Sequence, residues 1–582
     1  MSIYEIQLKH DAVEHLFAER KDFIIIGLTG RTGSGCSTIA GLLAKSFDDL
    51  QPPQPPKPGN IEDREYGIVY NFSQTMWEQF KLIEMRCVIF TFMLEYDYAK
   101  FKAYVKETFF EELNADEYET EYNKLHGLRI SYKAITDELN RKGENVPGGE
   151  DIAQFYFQLV PDFYRKFTRK LEKSLYTKIL QQIGDNIRSS GEAFSSKIQP
   201  NNIYKLAQRA NMMIKILRRR NISEKKKVLV VIDALRNPYE ALYFKDRYSA
   251  FYLFSINVSD DERKRRLSEG GFRYEEILEL DKREYPKRNN TIQDFYRVNI
   301  EKTVELADIH INNGDSQSKK LKRLKMQIVR YVALIMHPGL VPPTETERCM
   351  QIAFDSKLNS GCLSRQVGAV ITNSEYDIIS TGWNCAPTNQ VPCTLRNVSS
   401  IVRDDDVDEF GTSEYEKIDK EFREYLKRAV SGVNEKDLCG RNFSFCFKDA
   451  YNAYDGKDNQ VHTRSIHAEE MAFLQAAKLG GISIKGGFLF TTASPCELCS
   501  KKSYHIGIKR IYYIDQYPGI SRRHVLSSGS EKPEMILFTG AIGRAYTQLY
   551  TQILPYKDEL YMLLNLKYPR KKRRYKVIAN RK

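Results

Sequence analysis

Two short segments in the last quarter of this 582-residue chain hold groups able to do hydrolytic chemistry. The first is His467-Ala468-Glu469 and the second is Pro495-Cys496-Glu497-Leu498-Cys499. His467, Cys496 and Cys499 offer one imidazole and two thiolates to zinc, which leaves a fourth position for water, as a catalytic site requires. Glu469 adds a carboxylate that moves protons and does not bind the metal. A lone C-x-x-C is more often a structural zinc knuckle, but a structural ion needs no acid beside it.

The elements that must position these groups follow from the apolar spacing. Ala468, Met471, Ala472, Ala476 and Leu479 recur at helical spacing until Gly480 and Gly481 end the pattern. His467 and Glu469 therefore belong to a first helical turn. The run "FLFTT" reads as a strand that gives way to another helix at Cys496 and Cys499, so two helix N-termini face one cavity. Val367 to Thr372 and Ile378 to Trp383 read as two further strands of the same sheet.

A second cluster lies near the start, where the apolar run "FIIIGL" leads into "GLTGRTGSGCST". The phosphate-loop pattern G-x-x-x-x-G-K-[ST] is met by Gly30, Gly35 and Ser37, but Cys36 stands where the lysine belongs. The backbone around Gly30, Gly33 and Gly35, with Ser37 and Thr38 opening a helix, can still cradle phosphate, and Ser37 can still hold Mg²⁺. A neutral thiol cannot stabilise charge on a transferring phosphoryl group, although Arg31 or another arginine could do so in part. The loop is thus expected to bind a nucleotide and not to hydrolyse it, with a loop kept only for packing as the alternative.

The chain divides into residues 1–320, carrying the loop on a doubly wound parallel sheet, with a helical insertion at about 72–220. A proline-limited linker follows at 321–343, then a zinc domain at 344–553 and a basic tail at 554–582. Strands are expected at "KKVLVVID" and "AFYLFSINV", and five prolines between Phe47 and Gly67 make an exposed loop. The net charge of +13 favours polyanionic partners. With no signal-peptide core and no window of ~18 apolar residues, a cytoplasmic protein without membrane contact is expected. Ten cysteines in such a chain are too few for a disulfide scaffold.

H-x-E with P-C-x-x-C is the signature of zinc deaminases. With "CLSRQVGAVI" and "STGWNCAP" beside it, the block from about Thr344 to Ile553 resembles deoxycytidylate deaminases of the cytidine deaminase fold, an α/β/α sandwich. The resemblance implies that Asn384 binds deoxyribose and that Arg365 helps with phosphate; a turn residue and a solvated strand entry are the alternatives. Cys385 replaces the family's glycine. Some members carry a second zinc at positions matching Cys362 and Cys393, which Cys439, Cys446 and His462 would complete; buried free thiols are the alternative. The loop half, through "VVIDALRNPYE", "INVSDDERKRRL" and "ADIHINNGD", resembles P-loop nucleotide kinases, with Asp233 where a Walker B acid or a substrate-facing carboxylate would sit and Arg263, Arg265 and Arg266 like lid arginines; a helix N-cap and a solvated helix face are the alternatives. The fusion resembles bacterial anti-phage dCTP or dCMP deaminases, and a homo-oligomer is expected. Two other readings stay open: an editor of RNA or single-stranded DNA, and a non-catalytic nucleotide- or RNA-binding module.

Overall fold

The computed structural model describes residues 3–566 except 114, 137–148, 224–225, 287–290, 315–316, 403–407, 409, 458 and 516–521. Of the basic tail, 567–582 therefore lies outside the described residues.

Two sheets organise the chain. The first holds β1 (Phe23–Thr29), β2 (Lys81–Glu84), β3 (Val228–Asp233), β4 (Phe251–Asn257), β5 (Ile309–Asn312) and β11 (Gly540–Ala541), in the order β11-β5-β4-β1-β3-β2. Strands β1 to β5 pair in parallel and β11 closes the edge antiparallel to β5. A strand buried on both faces reads as an unbroken apolar run, and β1 does so. Ile25 points into a core shared with the helices between 85 and 223, while Ile24, Ile26 and Leu28 point into one shared with Cys36–Leu43 and Gln317–Met336.

The second sheet holds β6 (Gly368–Thr372), β7 (Ile378–Trp383), β8 (Phe488–Ala493), β9 (Arg510–Asp515) and β10 (Glu534–Leu537), in the order β10-β9-β8-β6-β7. Ala369 and Ile371 face the helix Ala468–Leu479, and Val370 faces the helix Glu345–Ser356, so strand alternation makes a three-layer sandwich. At Gly382 on β7 a Cβ would sit 2.2 Å from the Ala468 carbonyl oxygen. Only glycine lets the first turn of that helix lie so close to the sheet.

Four features depart from the sequence reading. The strand β2 lies inside the stretch expected to be a helical insertion, where four residues between helices give no periodicity. The segment expected as a linker at 321–343 is largely helix, Gln317–Met336, with Ile328, Val329 and Tyr331 to Met336 buried. The zinc half does not run on to 553: β11 and the helix Gly543–Tyr550 join the first sheet and its core. The first part of the expected tail is a helix, Tyr556–Leu564, where His10 Nε2 meets the Leu563 carbonyl at 2.8 Å and His337 Nε2 meets Glu559 at 2.9 Å.

Candidate metal and deaminase centre

His467 is the N-cap of the helix Ala468–Leu479, and Cys496 is the N-cap of the helix Glu497–Ile506. The strand β8 delivers the second cap and β7 supports the first, so the two helix starts meet above the sheet. Glu470 and Lys502 form an ion pair between these helices. His467 Nδ1 lies 3.3 Å from Cys496 Sγ and 3.5 Å from Cys499 Sγ. The three donor atoms fall within 4.8 Å of one another. Tetrahedral zinc with ordinary bond lengths sets its nitrogen and sulfur ligands about 3.6 Å apart, so the set fits that ion.

Glu469 is 4% exposed, and burial raises its carboxyl above the usual range. Thr491 Oγ1 donates to Glu469 Oε1 at 3.3 Å. The hydrogen bond from Cys499 and the contact with His467 bring the Cys496 thiol down to about 4, while donating that bond and burial push Cys499 up. The bond to Cys496 raises His467. A thiolate, an imidazole and a buried carboxyl thus share one recess, the equipment for binding a cation and moving a proton. Thr491 carried no sequence signal, because a threonine in a strand is ordinary.

The two residues expected at the substrate are placed differently. Asn384 Oδ1 accepts from the Val367 backbone N–H at 2.6 Å, and the next residue, Cys385, accepts the Ile466 N–H at 2.9 Å. That pairing sets the Asn384 turn beside His467. Arg365 reaches away to the other half, with Glu305 at 3.0 Å and Glu301 at 3.8 Å. Of Cys362, Cys393, Cys439, Cys446 and His462, none enters a three-donor cluster among the described residues. His462 packs on Tyr451 instead.

The glycine loop joins β1 to the helix Cys36–Leu43, with φ of +91° at Gly33 and +104° at Gly35. A Cβ at Gly35 would meet Asn313 Nδ2 at 2.2 Å. Ser37 Oγ donates to Asp233 Oδ2 at 2.7 Å, while Thr38 is exposed on the same helical turn. Gly30 lies against Ser34 and the Ile256 carbonyl. Burial pushes the Cys36 thiol up to about 12, so it is a neutral group. Of the three arginines, Arg266 donates to the Ser34 carbonyl at 3.2 Å and buried Arg263 to that of Thr32, also at 3.2 Å. Arg265 makes exposed pairs with Glu262 and Glu269 and does not face the loop. Arg31 is held by Asp260 and Asp281, both at 2.9 Å. The loop N–H of Thr32 donates to Glu284 at 3.0 Å, a carboxylate in the kind of place an anion would take.

Among the described residues no helix is long and apolar enough to cross a membrane.

A model of the cytidine and deoxycytidylate deaminase zinc-binding region matches residues 343–515. The deoxycytidylate deaminase of Enterobacteria phage T2 is 30% identical over 173 residues, 29% of this chain and 78% of the phage protein. That of Schizosaccharomyces pombe is 25% identical over 214 residues, 36% of this chain and 48% of the yeast protein. The solved dCMP deaminase of cyanophage S-TIM5, in complex with dCMP and dUMP, is 23% identical, covering 34% of this chain and 99% of its own at a TM-score of 0.21. On the match to the zinc-binding region and the span of the phage T2 enzyme, this chain belongs to the deoxycytidylate deaminase family.

Proposed function

We propose that this protein hydrolyses the exocyclic amine of deoxycytidine nucleotides, dCMP or dCTP, to give the deoxyuridine nucleotide and ammonia. The observation that carries the reading is the meeting of His467, Cys496 and Cys499 within one ligand sphere, beside a buried carboxyl. When bound by these three residues, zinc supplies the Lewis acidity that lets a water lose a proton near neutral pH. Glu469 would take that proton on a carboxylate oxygen and give it to the ring N3 as the water oxygen bonds to C4, then take the remaining proton from the new C4 hydroxyl and give it to the amine as the C4–N bond breaks, leaving the C4 carbonyl and ammonia. Thr491 orients the acid through its hydrogen bond. Asn384, fixed by the Val367 N–H, faces the sugar, while Arg365 serves as a tie to the loop half.

The loop half acts in this reading as a nucleotide sensor with Ser37 and Asp233 at the Mg²⁺ position. Neutral Cys36 leaves it without phosphoryl transfer. The ion pairs of Arg365 with Glu301 and Glu305 give occupancy of the loop half a route to the deaminase sheet. The biological role in this reading is depletion of dCTP during phage infection, by a cytoplasmic homo-oligomer.

The test is incubation of the full chain with dCMP, dCTP and a cytosine-containing oligonucleotide, with uracil products measured by mass spectrometry. Turnover of free nucleotides is expected. Faster turnover of the oligonucleotide would replace the reading with polynucleotide editing, and no turnover with zinc bound would replace it with a binding module. Binding of nucleoside triphosphates to the wild type and to Gly35→Glu, with phosphate release measured alongside, tests the sensor. Robust hydrolysis would refute it.

A further inference from the structure

The glycine loop is held by acids of its own chain. The helices Asp260–Glu269 and Tyr274–Glu284 lie beside it and supply Asp260, Glu262, Asp281 and Glu284. Arg31 pairs with Asp260 and Asp281, Arg263 with Asp281, Lys264 with Asp260, Arg266 with Glu262, and Arg236 with Glu284 at 3.0 Å. With Asp233 beside Ser37, five cations face five acids, so no positive excess meets an incoming phosphate. One of those acids must leave before an anion is welcome.

Glu284 is the acid placed to do so, because it touches the loop backbone itself. It is fully buried, and its two carboxylate oxygens accept the Thr32 backbone N–H at 3.0 and 3.2 Å. Oε1 also accepts from the Thr32 hydroxyl and from Arg236 Nη1, and Arg236 Nη1 reaches Thr32 Oγ1 at 2.6 Å. Thr32 and Arg236 border the same opening as Ser37 and Asp233. The carboxylate therefore holds the donors that an anion arriving at Ser37 would use, and two negative charges on one set of donors repel. The residue after it faces the other sheet. The Tyr285 ring lies 5.2 Å from the Arg31 guanidinium carbon and lines a cleft of about 30 Å³ closed by Ile514 of β9 and Leu537 of β10. β9 pairs with β8, the strand that leads to Cys496.

We propose that Glu284 is an autoinhibitory latch: its carboxylate occupies Thr32 and Arg236 at rest, and the phosphates of a nucleoside triphosphate displace it. Displacement frees the end of the helix Tyr274–Glu284 and moves Tyr285 at the junction with the zinc-bearing sheet. Arg236, released from Glu284, turns to the phosphate and supplies part of the charge missing at Cys36. Only hydrogen bonds and ion pairs change hands. The inference rests on the sensor reading of the loop and names the residue that the ligand must move.

The experiment is equilibrium binding of ATP and of inorganic tripolyphosphate, each with Mg²⁺, to the full-length wild type, Glu284→Gln and Glu269→Gln. Neither probe carries a cytosine, so the result is read apart from the deaminase centre. Glu284→Gln keeps the shape of the side chain and removes its charge. Glu269 is an exposed acid of the neighbouring helix, paired with Arg265, and its loss controls for one negative charge fewer. Circular dichroism and zinc content check that each variant folds. Glu284→Gln is expected to bind both probes at least about tenfold more tightly than the wild type, and Glu269→Gln to stay within about twofold. ATP is expected to speed amide hydrogen exchange at the end of the helix Tyr274–Glu284 in the wild type, a level that Glu284→Gln shows without ligand. Binding by Glu284→Gln no tighter than that of a wild type that binds would overturn the latch alone, as would an equal gain in Glu269→Gln. Absence of binding by both the wild type and Glu284→Gln would overturn the latch and the sensor reading together.

Discussion

Glu347 is fully buried, and its carboxylate accepts hydrogen bonds from five donors. These are the Thr344 N–H and hydroxyl at 3.0 Å each, the Tyr331 hydroxyl at 3.0 Å, the Ala541 N–H at 2.8 Å and the Tyr550 hydroxyl at 2.8 Å. The donors come from the helix under the first sheet, from β11, from the helix after it and from the start of the helix under the second sheet. Replacing Glu347 with glutamine keeps the shape. Its amide, turned to the Oε2 side, can no longer accept from the Thr344 N–H, and the remaining bonds lose their charge. An orphaned buried donor costs about 1–3 kcal/mol, and loss of charge assistance adds to it, giving about 2–4 kcal/mol in all. Glu347→Ala, which leaves all five donors without the carboxylate, should cost more, about 3–5 kcal/mol. The two tryptophans make the assay specific, since Trp77 lies in the first half and Trp383 ends β7 in the second. Urea unfolding followed through Trp77 alone and Trp383 alone, in Trp→Phe backgrounds, should show both midpoints falling together by roughly 1 M for Glu347→Gln. A shift confined to Trp383, or none at either, would refute the view that this carboxylate ties the two sheets into one unit.

Glu469→Gln should lower deamination by roughly 10²- to 10⁴-fold with zinc content unchanged, measured by product formation and metal analysis. His467→Ala or Cys496→Ala should lose metal and activity together, and a chelator should do the same to the wild type. His310 is buried against Phe538 with neither ring nitrogen hydrogen-bonded among the described residues, and burial lowers its pKa to about 3. Between the unfolded value of about 6.5 and this one, the unfolded chain holds a proton that the folded chain refuses, so its contribution to stability is complete above pH 6.5 and falls as the pH drops. At pH 4 the loss is about 3 kcal/mol relative to pH 7.5. Unfolding of His310→Leu measured at both pH values should lack that part of the dependence.

The zinc centre was legible because its chemistry is local. His467 and Glu469 share a turn, Cys496 and Cys499 share another, and the helix and strand between them carry plain apolar periods. The strands β1, β3, β4, β6, β7 and β8 were legible as well, as short apolar runs, but the elements that join the two halves were not. The helix Gln317–Met336 hides its buried stretch behind a basic start and ahead of Pro338, Pro342 and Pro343, which read as a linker. Two residues of β11 are too few to show alternation, and Glu347 looks in sequence like any helix-capping acid. Arg365 illustrates the general difficulty: a charge declares its sign in the sequence, but its partner is chosen by tertiary placement, here the acids of another helix.

The antiparallel pairing of Gly540 and Ala541 with β5 also fixes an order of manufacture. The ribosome finishes β5 early, yet the strand that covers its outer edge emerges only after every strand of the zinc-bearing sheet. Until then the nascent chain presents open backbone donors and acceptors along β5, the kind of edge that recruits other strands. The half made first is the half completed last. A chain cut short between residues 500 and 540 would hold every zinc ligand and still lack the strand that closes its first sheet, so an intact metal site is no guarantee of a finished protein.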